Sequence, residues 1–183
     1  MGKGARAVKA ALDGAAPDIH HACMEAMRCA IFVDFDNLVS TLRDEAGPEI
    51  ARRFAERPQA WLAWLGEGSG RRHLVRRCYM NPSGFIEDDA GIRVRFTEFR
   101  RNFMAAGFEV IDCPRLTRLK NAADLRMALD CLDALSGPAP ISEFTLLSSD
   151  SDFLPILLRL RAHDRLTRMV AHPLVSGALR GAA

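Results

Sequence analysis

The sequence predicts an α/β fold in which helices cover both faces of a mainly parallel sheet. Short, almost continuous apolar runs, of the kind found in strands buried on both faces, alternate along the chain with longer segments of helical periodicity. Strands and helices that alternate in this way usually form parallel sheets, because each helix returns the chain to the starting end of the sheet.

The predicted strands are four apolar segments and a short fifth segment near the end of the chain. The first reads Ala-Ile-Phe-Val-Asp and is apolar up to its last residue. The strand segments are 30–34, 72–80, 108–113, 144–148 and 168–171.

Helical segments lie between these strands, and glycine or proline marks several of their ends. Gly107 and the Ser136-Gly137-Pro138 turn are typical stops. Phe96, Phe99 and Phe103 have the spacing of one apolar helix face, which predicts a side directed into the core. The helical segments are 38–46, 49–65, 96–106, 122–135 and 153–163.

The composition is that of a soluble protein with a single core. Hydrophobic residues make up 49% of the chain and charged residues 26%, and the net charge is +2. The five cysteines form no C-x-x-C pair, which favours reduced thiols. No apolar run has the length of a membrane span or the pattern of a secretory leader. We therefore expect a cytoplasmic protein without membrane contact.

The chain length of 183 residues predicts one folded domain with terminal extensions. We expect an N-terminal extension at 1–29 that is partly helical, a domain at 30–172, and a C-terminal tail at 173–183.

Acidic residues follow two of the predicted strands. Asp34 ends the first strand with Asn37 three residues later, Asp150 and Asp152 follow the fourth, and Asp124 opens a helix between them. Strand ends of an open α/β sheet form its ligand crevice, where converging carboxylates repel each other unless a proton or cation separates them. The pattern predicts a site for Mg²⁺ or Mn²⁺, used in phosphate chemistry.

Several of these acids have a second interpretation. Asp36 is either a supporting acid or the N-cap of the next helix, and Asp152 is either a site residue or a cap. Asp124 taken alone is a favourable partner for a helix dipole. Asp150 has no capping role in this prediction. Asp130 lies about 120° from Asp124 around a helix, so we prefer Asp124 and keep Asp130 as a weaker candidate.

Three segments resemble the motifs of NYN domains, a branch of the PIN-like nuclease superfamily. They are VDFDNL at 33–38, KNAADLRMALD at 120–130 and SSDSDF at 148–153. Ser149 stands where the family usually has glycine, which alters the turn but removes no acid. The resemblance spans residues 29–172, with the motifs in the family's order.

The resemblance implies a PIN-like three-layer α/β/α sandwich and a metal-dependent ribonuclease that hydrolyses RNA phosphodiester bonds. The family's ligand positions correspond to Asp34, Asp124 and Asp150. Asp152 corresponds to a fourth acid, and Asn37 to the family's amide.

Basic and hydroxyl side chains near the acids are the predicted RNA contacts. Lys120 resembles the family's basic residue beside the central acid. Arg115 and Arg118 would guide the backbone of a single strand into the crevice, while Ser148 and Ser149 can donate hydrogen bonds to carboxylates or to a phosphate. The expected partner is single-stranded RNA, and family analogy alone suggests a homodimer.

Two other functions fit the same residues. The first is an NYN-like domain that binds RNA or a protein without cutting and acts in regulation. The second is a haloacid-dehalogenase-type phosphatase. The segment Asp34-Phe35-Asp36 mimics the pair of acids that this phosphatase family has at the end of its first strand. Leu38 stands where that family usually has threonine, and Asn37 takes the place of its loop glycine.

Overall fold

A computed structural model describes residues 26–66, 70–117 and 120–170, without the side chains of residues 115–117, 120 and 121. Within these ranges, five strands form one sheet in which all four neighbouring pairs are parallel, as predicted. The strands are β1 (Met27–Asp34), β2 (Arg71–Met80), β5 (Glu109–Asp112), β8 (Glu143–Leu147) and β9 (Leu166–Val170), and four shorter strands form two hairpins outside this sheet.

The strand order is β5-β2-β1-β8-β9. From β1 the chain therefore builds outwards through β2 to β5, and then returns to the other side of β1 for β8 and β9. The order reverses between β1 and β8, and open α/β sheets bind ligands beyond the strand ends at such a point.

The central strand β1 is buried on both faces. Ile31 and Val33 belong to one apolar cluster, Ala30 and Phe32 belong to the other, and all four are 0% exposed. Successive side chains of a strand point to opposite faces, so this single apolar run supplies both cores.

Helices cover both faces and complete the three-layer sandwich. The first cluster includes side chains of α1 to α4, and the second includes side chains of α5 and α6. The helices are α1 (Phe35–Ala46), α2 (Pro48–Glu56), α3 (Pro58–Trp64), α4 (Phe96–Ala105), α5 (Ala123–Ser136) and α6 (Leu154–Ala162).

The single helix predicted at 49–65 is wrong. The chain forms α2 and α3 instead, separated by Arg57, whose φ of −126° and ψ of 56° are not helical. Pro58 is the reason, because the ring of a proline disfavours the helical conformation in the residue before it.

The phenylalanine stripe predicted on α4 does face the core. Phe35 lies against it, with ring centroids 4.9 Å from Phe96 and 5.4 Å from Phe103 in edge-to-face contacts. Such pairs contribute about 0.5–1.5 kcal/mol beyond their buried area. They fix the start of α1, and with it the turn that follows β1.

Two short hairpins were not predicted. One pairs β3 (Phe85–Glu87) with β4 (Arg93–Arg95), and the other pairs β6 (Arg115–Thr117) with β7 (Lys120–Asn121). The expectations for a helical N-terminal extension and a C-terminal tail concern residues that lie almost entirely outside the described ranges. In the part of the chain that is described, no helix combines the length and apolar character needed to cross a membrane.

Candidate functional site

An acidic cavity of about 400 Å³ lies at the reversal point of the sheet. Five residues predicted from the sequence line it: Asp34, Asp36, Asn37, Asp124 and Asp150. They come from the ends of β1 and β8 and from the first turns of α1 and α5. The fold therefore brings together carboxylates that are more than a hundred positions apart in the sequence.

Asp34 is the most buried of these acids, with 2% of its surface exposed. Its Oδ1 accepts the backbone N–H of Asn37 at 3.3 Å, which makes it the N-cap of α1, and its Oδ2 accepts the Ser148 hydroxyl at 3.1 Å. Burial raises its pKa from 3.8 to about 7, and the nearby charge of Asp124 adds to that rise. Each carboxylate oxygen still has a lone pair for a further ligand.

Asn37 and Ser148 connect the ends of β1 and β8. The Asn37 side-chain oxygen accepts the backbone N–H of Ser149 at 2.8 Å, and the Ser148 hydroxyl accepts the backbone N–H of Asp150 at 3.1 Å. Ser148 is fully buried, so the structure places it as a support for Asp34 and Asp150 and away from the surface. Ser149 is half-buried and is not among the residues that line this cavity.

Asp36 supports the end of a different strand. It is 8% exposed, and its Oδ2 accepts the backbone N–H of Asn81, directly after β2, at 2.8 Å. The cap of α1 is Asp34, so the N-cap interpretation of Asp36 is wrong, and its role as a supporting acid of the site stays a prediction.

After β8, Asp150 has the capping role that the sequence suggested for Asp152. Asp150 caps a 3-10 turn (Ser151–Phe153) by accepting the backbone N–H of Asp152 at 2.9 Å. Asp152 lies within that turn and its side chain is exposed. Asp150 therefore has a structural role as well as a place in the cavity, while Asp152 lies outside the lining.

Asp124 stands in the first turn of α5 and is half-buried. Its pKa is raised by burial and then by the charges of Asp150 and Asp152. Asp124 in turn raises the pKa of Asp34, so burial and neighbouring negative charge both oppose the ionisation of these two acids.

The donor set suits a hard cation, although its arrangement is open. Oxygen ligands are those that Mg²⁺ and Mn²⁺ prefer, and none of the described residues lining the cavity is a lysine or arginine. Within the described ranges, however, no three His, Cys, Asp or Glu side chains already form a group that could hold an ion. The residues fit the ion in chemistry, and binding would require side-chain rotations that draw the carboxylates together.

Asp130 is directed elsewhere. It is 4% exposed and accepts the Tyr79 hydroxyl at 2.7 Å, with Arg77 and Arg126 both 3.3 Å from its Oδ1. It does not line the acidic cavity. This weaker candidate is part of a buried network that joins α5 to β2.

The sequence prediction missed the side of α1 that lines the cavity. Its further lining residues are Ser40, Thr41, Asp44 and Glu45. They follow Asn37 at intervals of three, four, seven and eight residues, which is one face of a helix. That polar periodicity was the signal available in the sequence.

The predicted basic contacts lie at the limit of the described residues. The backbone at Arg115 and Lys120 forms the β6–β7 hairpin before α5, their side chains are not described, and Arg118 lies outside the described residues. A described arginine does lie nearby. Arg43 lines a second cavity, of about 500 Å³, which shares Asp36 and Ser40 with the acidic one.

Comparison with known proteins identifies the family. The model of the NYN domain family matches residues 28–183, so the chain belongs to the NYN domain family, within the PIN-like nuclease superfamily. The match extends past residue 172, where we placed the end of the domain. These comparisons give no support to the haloacid-dehalogenase alternative.

A solved structure supports the same fold. The crystal structure of VPA0982, a protein of unknown function from Vibrio parahaemolyticus, is similar with a TM-score of 0.62 and 19% sequence identity. The alignment covers 87% of this chain and 90% of that chain. A search of curated proteins finds no match.

Proposed function

We propose that this protein is a metal-dependent endoribonuclease that hydrolyses phosphodiester bonds of single-stranded RNA. The observation that carries the proposal is the acidic cavity at the sheet's reversal point, in a chain of a nuclease-like family. Burial and neighbouring acids raise the pKa values of Asp34 and Asp124, and no described cationic side chain lines the cavity.

In this proposal Asp34, Asp124 and Asp150 hold Mg²⁺ or Mn²⁺. When bound, the ion acts as a Lewis acid that makes water more acidic and offsets charge on the phosphate. The chain's own residues position the ligands: Ser148 and Asn37 orient Asp34, and the 3-10 turn orients Asp150. No nucleophilic side chain is needed for this reaction class.

The substrate is proposed from the surroundings of the cavity. The adjoining cavity that contains Arg43 offers a place for a phosphate next to the scissile one. Contacts from Lys120, Arg115 and Arg118, with Asp152 as a fourth acid, belong to the same proposal. A cytoplasmic location and a homodimer remain predictions.

Cleavage of a labelled single-stranded RNA in Mn²⁺ tests the proposal, with Asp124→Asn as the variant. The substitution removes a ligand charge but keeps the side chain's size, so we expect the rate to fall by about a hundredfold or more while the fold is kept. Asp133→Asn, at an exposed position of the same helix, is the matched control and should keep the wild-type rate. Wild-type cleavage by Asp124→Asn would contradict the proposal.

One observation favours a second candidate, an NYN domain that binds RNA without cutting. No group of three ligand side chains in the described residues is already arranged for an ion. Tight binding of the same RNA, with no product in either Mg²⁺ or Mn²⁺, would support that candidate over the nuclease.

A further inference from the structure

An apolar cavity of about 210 Å³ lies beside the acidic one. Its floor includes the buried side chains of Leu38, Leu65 and Leu147, and its walls include the aromatic residues of α2 and α3. No charged residue is among the described residues that line it, and its polar members are Thr41 and Ser149.

The two cavities share a wall. Thr41 lines both of them. Ser149, which lines the apolar cavity, precedes Asp150 in the chain and donates its backbone N–H to Asn37, which lines the acidic one. A ligand whose charged part lies in the acidic cavity could therefore place an apolar part in the neighbouring apolar recess.

Flat aromatic surfaces form much of the recess. The rings of Phe54 and Trp61 stack with centroids 5.3 Å apart and planes 13° apart. The Trp61 indole N–H donates to the Phe54 carbonyl oxygen at 3.2 Å, which fixes the ring. Trp64 also lines the cavity, and 74% of its surface is exposed.

We propose that this recess binds a nucleobase of the RNA strand whose phosphate lies at the acidic cavity; the inference rests on the proposed function. A base is flat, uncharged and apolar on its faces, and it stacks on aromatic rings whatever its sequence. A phosphate would find no cation in the described lining, so the base is the part of a nucleotide that this surface suits. Trp64 is the stacking residue, and Thr41 and Ser149 can meet the polar edge of the base.

Tryptophan fluorescence tests binding without catalysis. The chain has two tryptophans, and both line this cavity, so their emission reports on it alone. In the presence of a chelator, adenosine 5′-monophosphate should quench the emission saturably, and ribose 5-phosphate, which lacks the base, should not. Equal effects of the two ligands, or no effect of either, would overturn the proposal.

Kinetics test the contribution of Trp64 to the reaction. Trp64→Ala should raise KM for single-stranded RNA by about 5- to 100-fold and leave kcat nearly unchanged. The reason is that stacking of a base on Trp64 contributes to binding of the strand and does not act on the bond that is cleaved. Trp64→Phe should recover most of the loss. Leu158→Ala, at a 50% exposed position on α6, is the control and should behave as wild type.

An abasic substrate separates stacking from a merely structural effect. With wild-type protein, an RNA that lacks one base next to the cleaved bond should have a higher KM than the intact RNA. With Trp64→Ala, the two RNAs should have nearly the same KM. If the rise in KM from Trp64→Ala and the rise from the missing base were additive, the base-binding role would be overturned. A wild-type protein that cuts no RNA would defeat the proposed nuclease function, while the fluorescence result would still decide what the recess binds.

Discussion

At the scale of single residues, Asp34 is the most buried acid of the site. Its carboxylate accepts two hydrogen bonds, yet burial and neighbouring acids still raise its pKa to about 7. The folded protein therefore binds this proton more tightly than the unfolded chain does. It follows that ionisation of Asp34 opposes folding in the absence of a cation.

The pH dependence of stability should reveal that effect. In the presence of a chelator, the free energy of unfolding of the wild type should fall relative to that of Asp34→Asn as the pH rises from about 4 to about 7. A pKa raised from 3.8 to about 7 corresponds to a total of about 4 kcal/mol, most of which falls within this pH interval. Urea denaturation at a series of pH values measures it, and parallel curves for the two proteins would contradict the expectation.

The sequence predicted which acids lie together better than it predicted the structural role of each acid. Asp34, Asp124 and Asp150 were predicted to meet because strand ends converge, and they line one cavity. The capping roles of Asp34 and Asp150 were not predicted, because either aspartate of each D-x-D pair can cap the same turn in sequence terms. Helix geometry alone was enough to predict that Asp130 and Asp124 point in different directions.

At the scale of elements, a hydrogen bond links α1 to the loop after β8, and both segments contribute residues to the site. Asn37 in α1 accepts the Ser149 N–H, and so holds the segment that leads into Asp150. Without this contact the loop would be tied to α1 chiefly through Ser148 and Asp34.

Asn37→Ala should therefore weaken both stability and cleavage. The half-buried Ser149 N–H loses its acceptor, which costs about 1–3 kcal/mol of unfolding free energy. Asn102→Ala is the matched control, since Asn102 donates a similar part-buried hydrogen bond to the Glu56 carbonyl, at 3.1 Å and away from the cavity. It should lose comparable stability and keep its cleavage rate; equal losses of rate in both variants would contradict a positioning role for Asn37.

Element boundaries show where sequence patterns were insufficient. The five parallel strands were predictable because their apolar runs are dense and bounded. The break between α2 and α3 depends on Pro58, a single residue within an otherwise continuous helical pattern. The β3–β4 hairpin is short and exposed in part, and it is held by Phe96 against Gly84, where an added Cβ would lie 2.3 Å from the ring. Contacts of that kind are tertiary and leave no local pattern.

At the scale of the whole molecule, the proposed cation would act as a folding ligand. It would relieve the mutual repulsion of acids that come from α5 and from the ends of β1 and β8. Because the unfolded chain does not hold these acids together, an ion that binds them should shift the folding equilibrium.

Thermal unfolding should thus depend on Mn²⁺. At a hundredfold excess over its dissociation constant, the ion should stabilise the wild type by about 2.7 kcal/mol, with a corresponding rise in Tm. Asp124→Asn should lose most of this rise, and Asp133→Asn should keep it. The same Tm with Mn²⁺ and with chelator in the wild type would argue against an ion at this site.

The position of β1 has a consequence for how the molecule tolerates local opening. This strand is hydrogen bonded on both sides and buried on both faces, whereas among the described residues β5 and β9 each have one neighbour in the sheet. Fraying at the outer strands therefore leaves the middle of the sheet intact. The acids that line the cavity therefore keep their spacing when the outer strands open locally, and lose it only when the whole molecule unfolds.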